Sequence, residues 1–383
     1  LRWSPYPGVP SILASSNGAY CHAPDWYRDF LYRQERERGF DACEDLAAPG
    51  VFEFDLARGE AILILSAGTS ELPREFTSRP AARLIADLRS RERARRAAIE
   101  SPLDRAAEAY IVGRGEGHSI IAGYPWFADW GRDTCIAIRG LCIARGQYEQ
   151  ATSILLQWAD SVSEGMLPNR FPDAGNEPEF NSVDASLWFI IAVHDLFDAA
   201  ASAHHPISDS DRAKLWNAAS EIVSRYASGA RHGIRMDTDS LLACGEPGVQ
   251  LTWMDARVGD RVVTPRTGKP VEVQALWINA LTALSAHEPR WTLIAEKATA
   301  SFRDRFWNEA RGCLFDVIDV DHQHGSVDAT IRPNQILAIG GLPVQLLSGP
   351  RAESVLRVVE RELLTPAGLR SLAPGEPDYT PRY

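Results

Sequence analysis

Helical segments recur along this chain at roughly 133–145, 149–161, 183–201, 211–229, 271–286, 290–308 and 350–364, with two more between about 77 and 112. This recurrence points to helix packed on helix for most of the chain, a mainly α fold. The connections are the unusual part. Those at 162–180, 231–270 and 309–331 are long and rich in Gly, Pro, Asn and Asp, whereas a bundle closes with a few residues per turn. Long polar loops on a helical scaffold read as the walls of a site.

The first 70 residues have a different character, β-rich and loop-rich. "GVFEFDLARGEAILILSAG" holds two β-like runs, 51–56 and 61–66, around "ARG", which predicts a hairpin. Two strands do not stand alone in water, so further partners are required. The expected division is therefore a β-rich domain over 1–70 and a helical domain over 71–383. In "SPLD", Ser101 and Pro102 read as the cap and first turn of a helix.

With 383 residues and 45% hydrophobic content the chain can bury a large core. A formal net charge of -11 argues against a nucleic-acid partner. The basic run "RSRERARR" at 89–96 reads as a solvated helix face. No apolar run approaches the ~18 residues that span a bilayer, so no membrane partner is expected. Six cysteines without C-x-x-C spacing suit a reducing cytoplasm. Neither "DHQHG" at 321–325 nor His204 and His205 supplies a separated metal-ligand set, "GRGEG" follows a helix without the phosphate-loop lysine, and no metal or cofactor is expected.

Three loops concentrate the chemistry. "GYPWFADWGRDT" sets Arg132 and Asp133 beside Trp126 and Trp130, which combines hydrogen-bonding edges with flat apolar faces. Sugar rings need that combination; equally, Asp133 or Thr134 would cap the next helix while the tryptophans fill the core. "GMLPNRFPDAGNEPEFNSVDASLWF" brings Asn169, Arg170, Asn176, Glu177, Glu179, Asn181 and Asp184 ahead of an apolar helix, where capping by Ser182 or Asn181 accounts for one or two of them. "GEPGVQLTWMDARVGDRVVTPRTGKPVEVQALW" places Asp255 beside Trp253 and Met254, a setting in which partial burial favours a proton-donating carboxyl, with Glu272 and Trp277 following on a helix. A lone Asp beside a Trp is by itself more often a turn residue.

Taken in order, "YPGVPSILASSNGAY", "PDWYRDFLYRQERERGFDACEDLAAPG", "GYPWFADWGRD", "NSVDASLWF", "TWMDARVGDRVVTPRTGKPVEVQALW", "IRPNQILAI" and "TPAGLRSLAP" give the chain a close resemblance, over nearly its whole length, to bacterial and archaeal relatives of the glycogen debranching enzyme, the amylo-alpha-1,6-glucosidase family. The resemblance implies an (α/α)6 toroid, incomplete here, preceded by the tail of a β-rich domain. It also implies hydrolysis of α-1,6-linked glucose stubs on glycogen or a related branched α-glucan. Arg132 and Asp133 would grip the terminal glucose, Trp126 and Trp130 would shape its pocket, and Asp255 would be the general acid. Asn169, Arg170, Glu177, Asp184, Trp253, Glu272 and Trp277 complete the expected substrate-binding set. An inverting mechanism needs a second carboxylate about 6.5–9.5 Å away. No "HQGTVWPW"-like segment is present, and nine helical segments fall short of twelve, so the chain is expected to be a fragment lacking the base. The competing expectation is a truncated protein using Glu177, Glu179 or Glu272 instead, or one that binds glucan without hydrolysing it. A toroid enzyme acting on another α-glucosidic linkage is the further alternative.

Overall fold

The computed structural model describes residues 1–383 except 5–6, 8–9, 38, 40, 69–78, 100, 116, 125–126, 171–177, 260 and 382–383. The chain divides into two compact units, 1–105 and 106–382.

In the first unit, Ser11–Ser16 pairs antiparallel with Leu63–Gly68 and, on its other side, with Arg2–Trp3. Ala19–Cys21 pairs with Val51–Glu53, and Asp25–Leu31 with Cys43–Ala48. The hairpin predicted between 51–56 and 61–66 does not form. Asp55 instead caps a 3-10 turn over Leu56–Arg58, accepting from the Ala57 amide. The two runs then leave for different sheets, and the Asn17 side chain fixes the second by bonding Glu60 O and Ile62 N. After a short helix α1 (Arg33–Glu37) comes α2 (Ala81–Ala97), whose Ala81 and Leu84 bury against Ile62 and Ile64. This shared core moves the division from the expected residue 70 to residue 105. The arginine run is a solvated face, with Glu92 bridging Arg95 and Arg96.

Helix α3 (Pro102–Tyr110) starts as "SPLD" predicts, with Ser101 Oγ accepting from the amides of Leu103 and Asp104 at 3.2 and 3.4 Å. Six helices follow in pairs: α4 (Gly131–Leu141) and α5 (Tyr148–Ala159), α6 (Val183–Ser202) and α7 (Asp209–Ser228), α8 (Val271–Ser285) and α9 (Thr292–Arg305). The first members stack side by side, α4 on α6 and α6 on α8, while the second members pack outside them. Helix α10 (Gly349–Leu363) comes last and contributes Val355, Val358, Val359 and Leu363 to the core.

This layering explains the composition of each helix. Buried nearly all round, α6 and α8 are largely apolar on every face apart from a few buried polar groups, whereas α7 buries only one stripe, including Leu215, Ile222, Val223 and Tyr226. With a mean hydropathy of 1.3, α6 is long and apolar enough to cross a bilayer, contrary to the expectation that no segment is. Two-thirds of that window is instead buried inside the protein, as an inner helix requires.

Candidate active site

Because α4, α6 and α8 run side by side, the loops entering them converge at one end. Helix α4 begins directly after Trp130, with Arg132 and Asp133 in its first turn. The glycine of "WGRD" is there for close approach: Gly131 N donates to Asn169 O at 2.8 Å, and a Cβ at 131 would lie 2.6 Å from Pro168 O. The predicted cap at Asp133 or Thr134 is not used, since the N-cap is Trp130 and makes no side-chain bond. Helix α6 is capped by Ser182, whose Oγ accepts from Ala185 N. Val183 N donates to Leu251 O, tying the next loop alongside.

At the centre stands Arg132. Its Nε contacts both oxygens of Asp184 at 3.0 and 2.9 Å, Nη2 donates to Ser182 Oγ at 3.1 Å, and Nη1 donates to Asp255 Oδ2 at 3.2 Å. Burial opposes the charge, but Asp184 and Asp255 lift the guanidinium pKa above its ordinary value and keep it ionised. Asp184, almost wholly buried, is a fixed counter-charge beneath Arg132 and does not line the opening. The side chain of Asp255 is 41% exposed. Its expected burial by Trp253 and Met254 is not what forms, because the Trp253 indole turns away and donates to Asn334 Oδ1 at 2.8 Å.

An open cleft of about 470 Å3 lies over this centre, lined by Ala122, Phe127, Trp130, Arg132, Asp133, Asn169, Glu179, Asn181, Gln250 and Asp255. Phe127 meets the Trp130 ring edge-on at 6.3 Å, and the Arg170 guanidinium lies 5.7 Å from the same ring while bonding Glu179 at 2.7 Å. Asp133 opens into the cleft, yet loss of surrounding water raises its pKa against the pull of Arg132. The side-chain oxygens of Asn169 and Asn181 are buried without a hydrogen-bond partner among the described residues. Two orphan acceptors in one cleft suit a ligand rich in hydroxyl donors.

Thus Trp130, Arg132, Asp133, Asn169 and Asp255 line one cleft, with Arg170 and Asp184 bracing them. Trp126 and Glu177 lie outside the described residues. Glu272 and Trp277 are not in the cleft. Both belong to the inner helix α8, where Glu272 is ion-paired to Arg266 and the Trp277 indole donates to Ser240 O at 3.0 Å. A helix buried on all sides has no face left for substrate. Trp253 is also absent from the lining. Phe127 and Gln250 lie in the loops read from the sequence but, carrying no charge, were not singled out there.

Comparison with known proteins bears on this arrangement. Residues 105–383, which contain every residue of the cleft, match the family model described as amylo-alpha-1,6-glucosidase. The chain belongs to that family. Residues 1–63 match the model described as glycogen debranching enzyme N terminal. A curated relative, the glycogen debranching enzyme of Saccharomyces cerevisiae, is 24% identical over an alignment of 352 positions that covers 69% of this chain. The match spans only 23% of the yeast protein. Among solved structures, a GH63 mannosylglycerate hydrolase from Thermus thermophilus in complex with glucose overlaps with a TM-score of 0.48 at 16% identity, covering 73% of this chain and 81% of that one. A Klebsiella oxytoca rhamnosidase with rhamnose bound gives 0.46 at 12% identity, covering 92% and 70%.

Proposed function

We propose that this protein hydrolyses the α-1,6-linked glucose left as a branch stub on glycogen or a related glucan, with Asp255 as the general acid of an inverting reaction. The observation that carries the reading is the cleft itself: Asp255 held on Arg132, and Asp133 beside it, in a member of the amylo-alpha-1,6-glucosidase family. The terminal glucose lies with its C–H face toward Trp130 and Phe127, and its hydroxyls donate to Asn169, Asn181 and Asp133. Arg132 fixes the acid, since Asp184 and Ser182 occupy its remaining edge and leave it little freedom to turn. From its protonated form Asp255 then passes the proton to the glycosidic oxygen as the bond to C1 breaks, while a water attacks C1 from the opposite face and gives up its own proton to a second carboxylate acting as base. Glu272, paired with Arg266 in the core, is excluded as the base; among the described residues of the cleft, Glu179 is the carboxylate left once Asp133 and Asp255 have their parts. In this reading the paired helices are part of an (α/α)6 toroid.

The test is glucose release from a phosphorylase-trimmed branched glucan by the product of the complete open reading frame. Asp255→Asn is expected to lose ~10²–10⁴-fold in kcat, the usual contribution of a positioned acid. Loss of similar size in Glu179→Gln would make Glu179 the base. Glucan binding without glucose release by the unmutated protein would replace the enzyme with a binding module.

A further inference from the structure

Behind the cleft lies a buried ionic cluster to which the hydrolysis just described assigns no part. Arg266, on the loop before α8, donates to both oxygens of Glu272 and to both oxygens of Asp316. All three side chains are buried. A cluster of this kind is stiff, because moving any member strands a charge away from water. Its outer edge is Asn334, in the "IRPNQILAI" stretch, whose Nδ2 donates to Asp316 Oδ1 at 2.7 Å.

The other end of the Asn334 amide reaches toward the acid. Its Oδ1 accepts from the Trp253 indole at 2.8 Å, two residues before Asp255. The chemistry fixes the amide's direction, since an ionised carboxylate only accepts and an indole N–H only donates. Neither Asp nor Leu at 334 satisfies both neighbours. The same turn has further ties: Arg266 Nη1 to Thr252 Oγ1 at 3.3 Å, and Thr264 Oγ1 to Met254 O at 2.9 Å. Residues 252, 253 and 254 are thereby held from the core, while the Asp255 carboxylate is held from the cleft by Arg132.

We propose that Asn334 is a positioning residue: through the Trp253 indole it transmits the fixed geometry of the Arg266 cluster to the acid loop and sets where the Asp255 carboxyl stands. The proposal rests on Asp255 being the acid. The whole protein from its complete open reading frame is compared with Asn334→Leu, Trp253→Phe and Asp255→Asn on two substrates, the trimmed glucan and α-glucosyl fluoride, whose fluoride leaves with little help from an acid. Displacing the acid by about an ångström costs on the order of 10²-fold. Asn334→Leu and Trp253→Phe are each expected to lose about that factor in kcat on the glucan, to stay near the unmutated rate on the fluoride, and to lose no more when combined.

Equal loss on both substrates by Asn334→Leu would overturn the proposal and leave Asn334 a structural residue. Equal loss on both by Asp255→Asn, or a wild-type protein silent on both, would sink the acid reading and the proposal with it. An activity-free readout accompanies these. In 15N-tryptophan-labelled protein, the indole N–H signal missing from Trp253→Phe should be protected from solvent exchange in the wild type and exposed in Asn334→Leu; an unchanged signal overturns the proposal.

Discussion

Arg132 and Asp133 are adjacent in sequence but stand in opposite electrostatic situations. Arg132 is surrounded by carboxylates, whereas Asp133 has lost water without gaining an equivalent partner, which raises its pKa. The sign of the resulting stability effect is fixed. Below the unfolded pKa of about 3.9 the carboxyl is neutral in both states and costs nothing. The penalty for its charge sets in as pH rises and is fully present above the folded pKa. Asp133→Asn should therefore unfold at higher urea than wild type at pH 7, with the difference closing toward pH 3, while glucose release falls. A lower midpoint at pH 7 would show that the carboxylate stabilises the fold instead. Residue types and local spacing marked Arg132, Asp133 and Asn169 as polar groups in aromatic loops, but Asp255 rose above an ordinary turn residue only through the family motifs around it. Neither could reveal which way Trp253 turns, because its partner lies 81 positions away at Asn334. Glu272 and Trp277 misled for the same reason: polarity and aromaticity mark a site only when the helix carrying them has an exposed face.

At the scale of the element, the start of α6 joins stability to chemistry. Ser182 caps the helix, donates to Asp184 Oδ1 at 2.7 Å and accepts from Arg132 Nη2. Ser208 caps α7 in the same way, but at the surface, accepting from Asp211 N at 3.1 Å. Ser208→Ala should cost about 1 kcal/mol, the ordinary value of a cap. Ser182→Ala should cost roughly 1–3 kcal/mol more, because it strands buried polar groups as well. Urea unfolding of the two variants measures the difference, and equal costs would mean that Arg132 and Asp184 find other partners. The helices themselves were readable because apolar periodicity and caps are local. The strand pairing in the first unit was not, since Leu63–Gly68 takes its partner from Ser11–Ser16 across the intervening chain rather than from the nearer run. Local turn chemistry at Asp55 decided that outcome, and it looked like an ordinary hairpin connection.

For the whole molecule, the boundary between the units was hidden because α2 is helical in sequence yet belongs to the strands by its core. Cysteine chemistry offers a probe that reads the two units separately. Cys21 and Cys43 in the first unit are exposed; Cys135, Cys142, Cys244 and Cys313 in the second are buried. Burial pushes the thiols of Cys142 and Cys244 up to about 12 and raises those of Cys135 and Cys313. The thiolate is the reacting species, so the four are protected twice, by lack of access and by lack of ionisation. Maleimide at neutral pH should add to two cysteines of the native protein and to all six only in denaturant, as read by intact mass. The rate at which the last four react at intermediate urea then follows opening of the helical unit, without reference to activity. Rapid addition to any of the four in native buffer would mean that the unit opens around that cysteine, and for Cys244, on the loop that precedes the acid, such opening would reach the cleft itself.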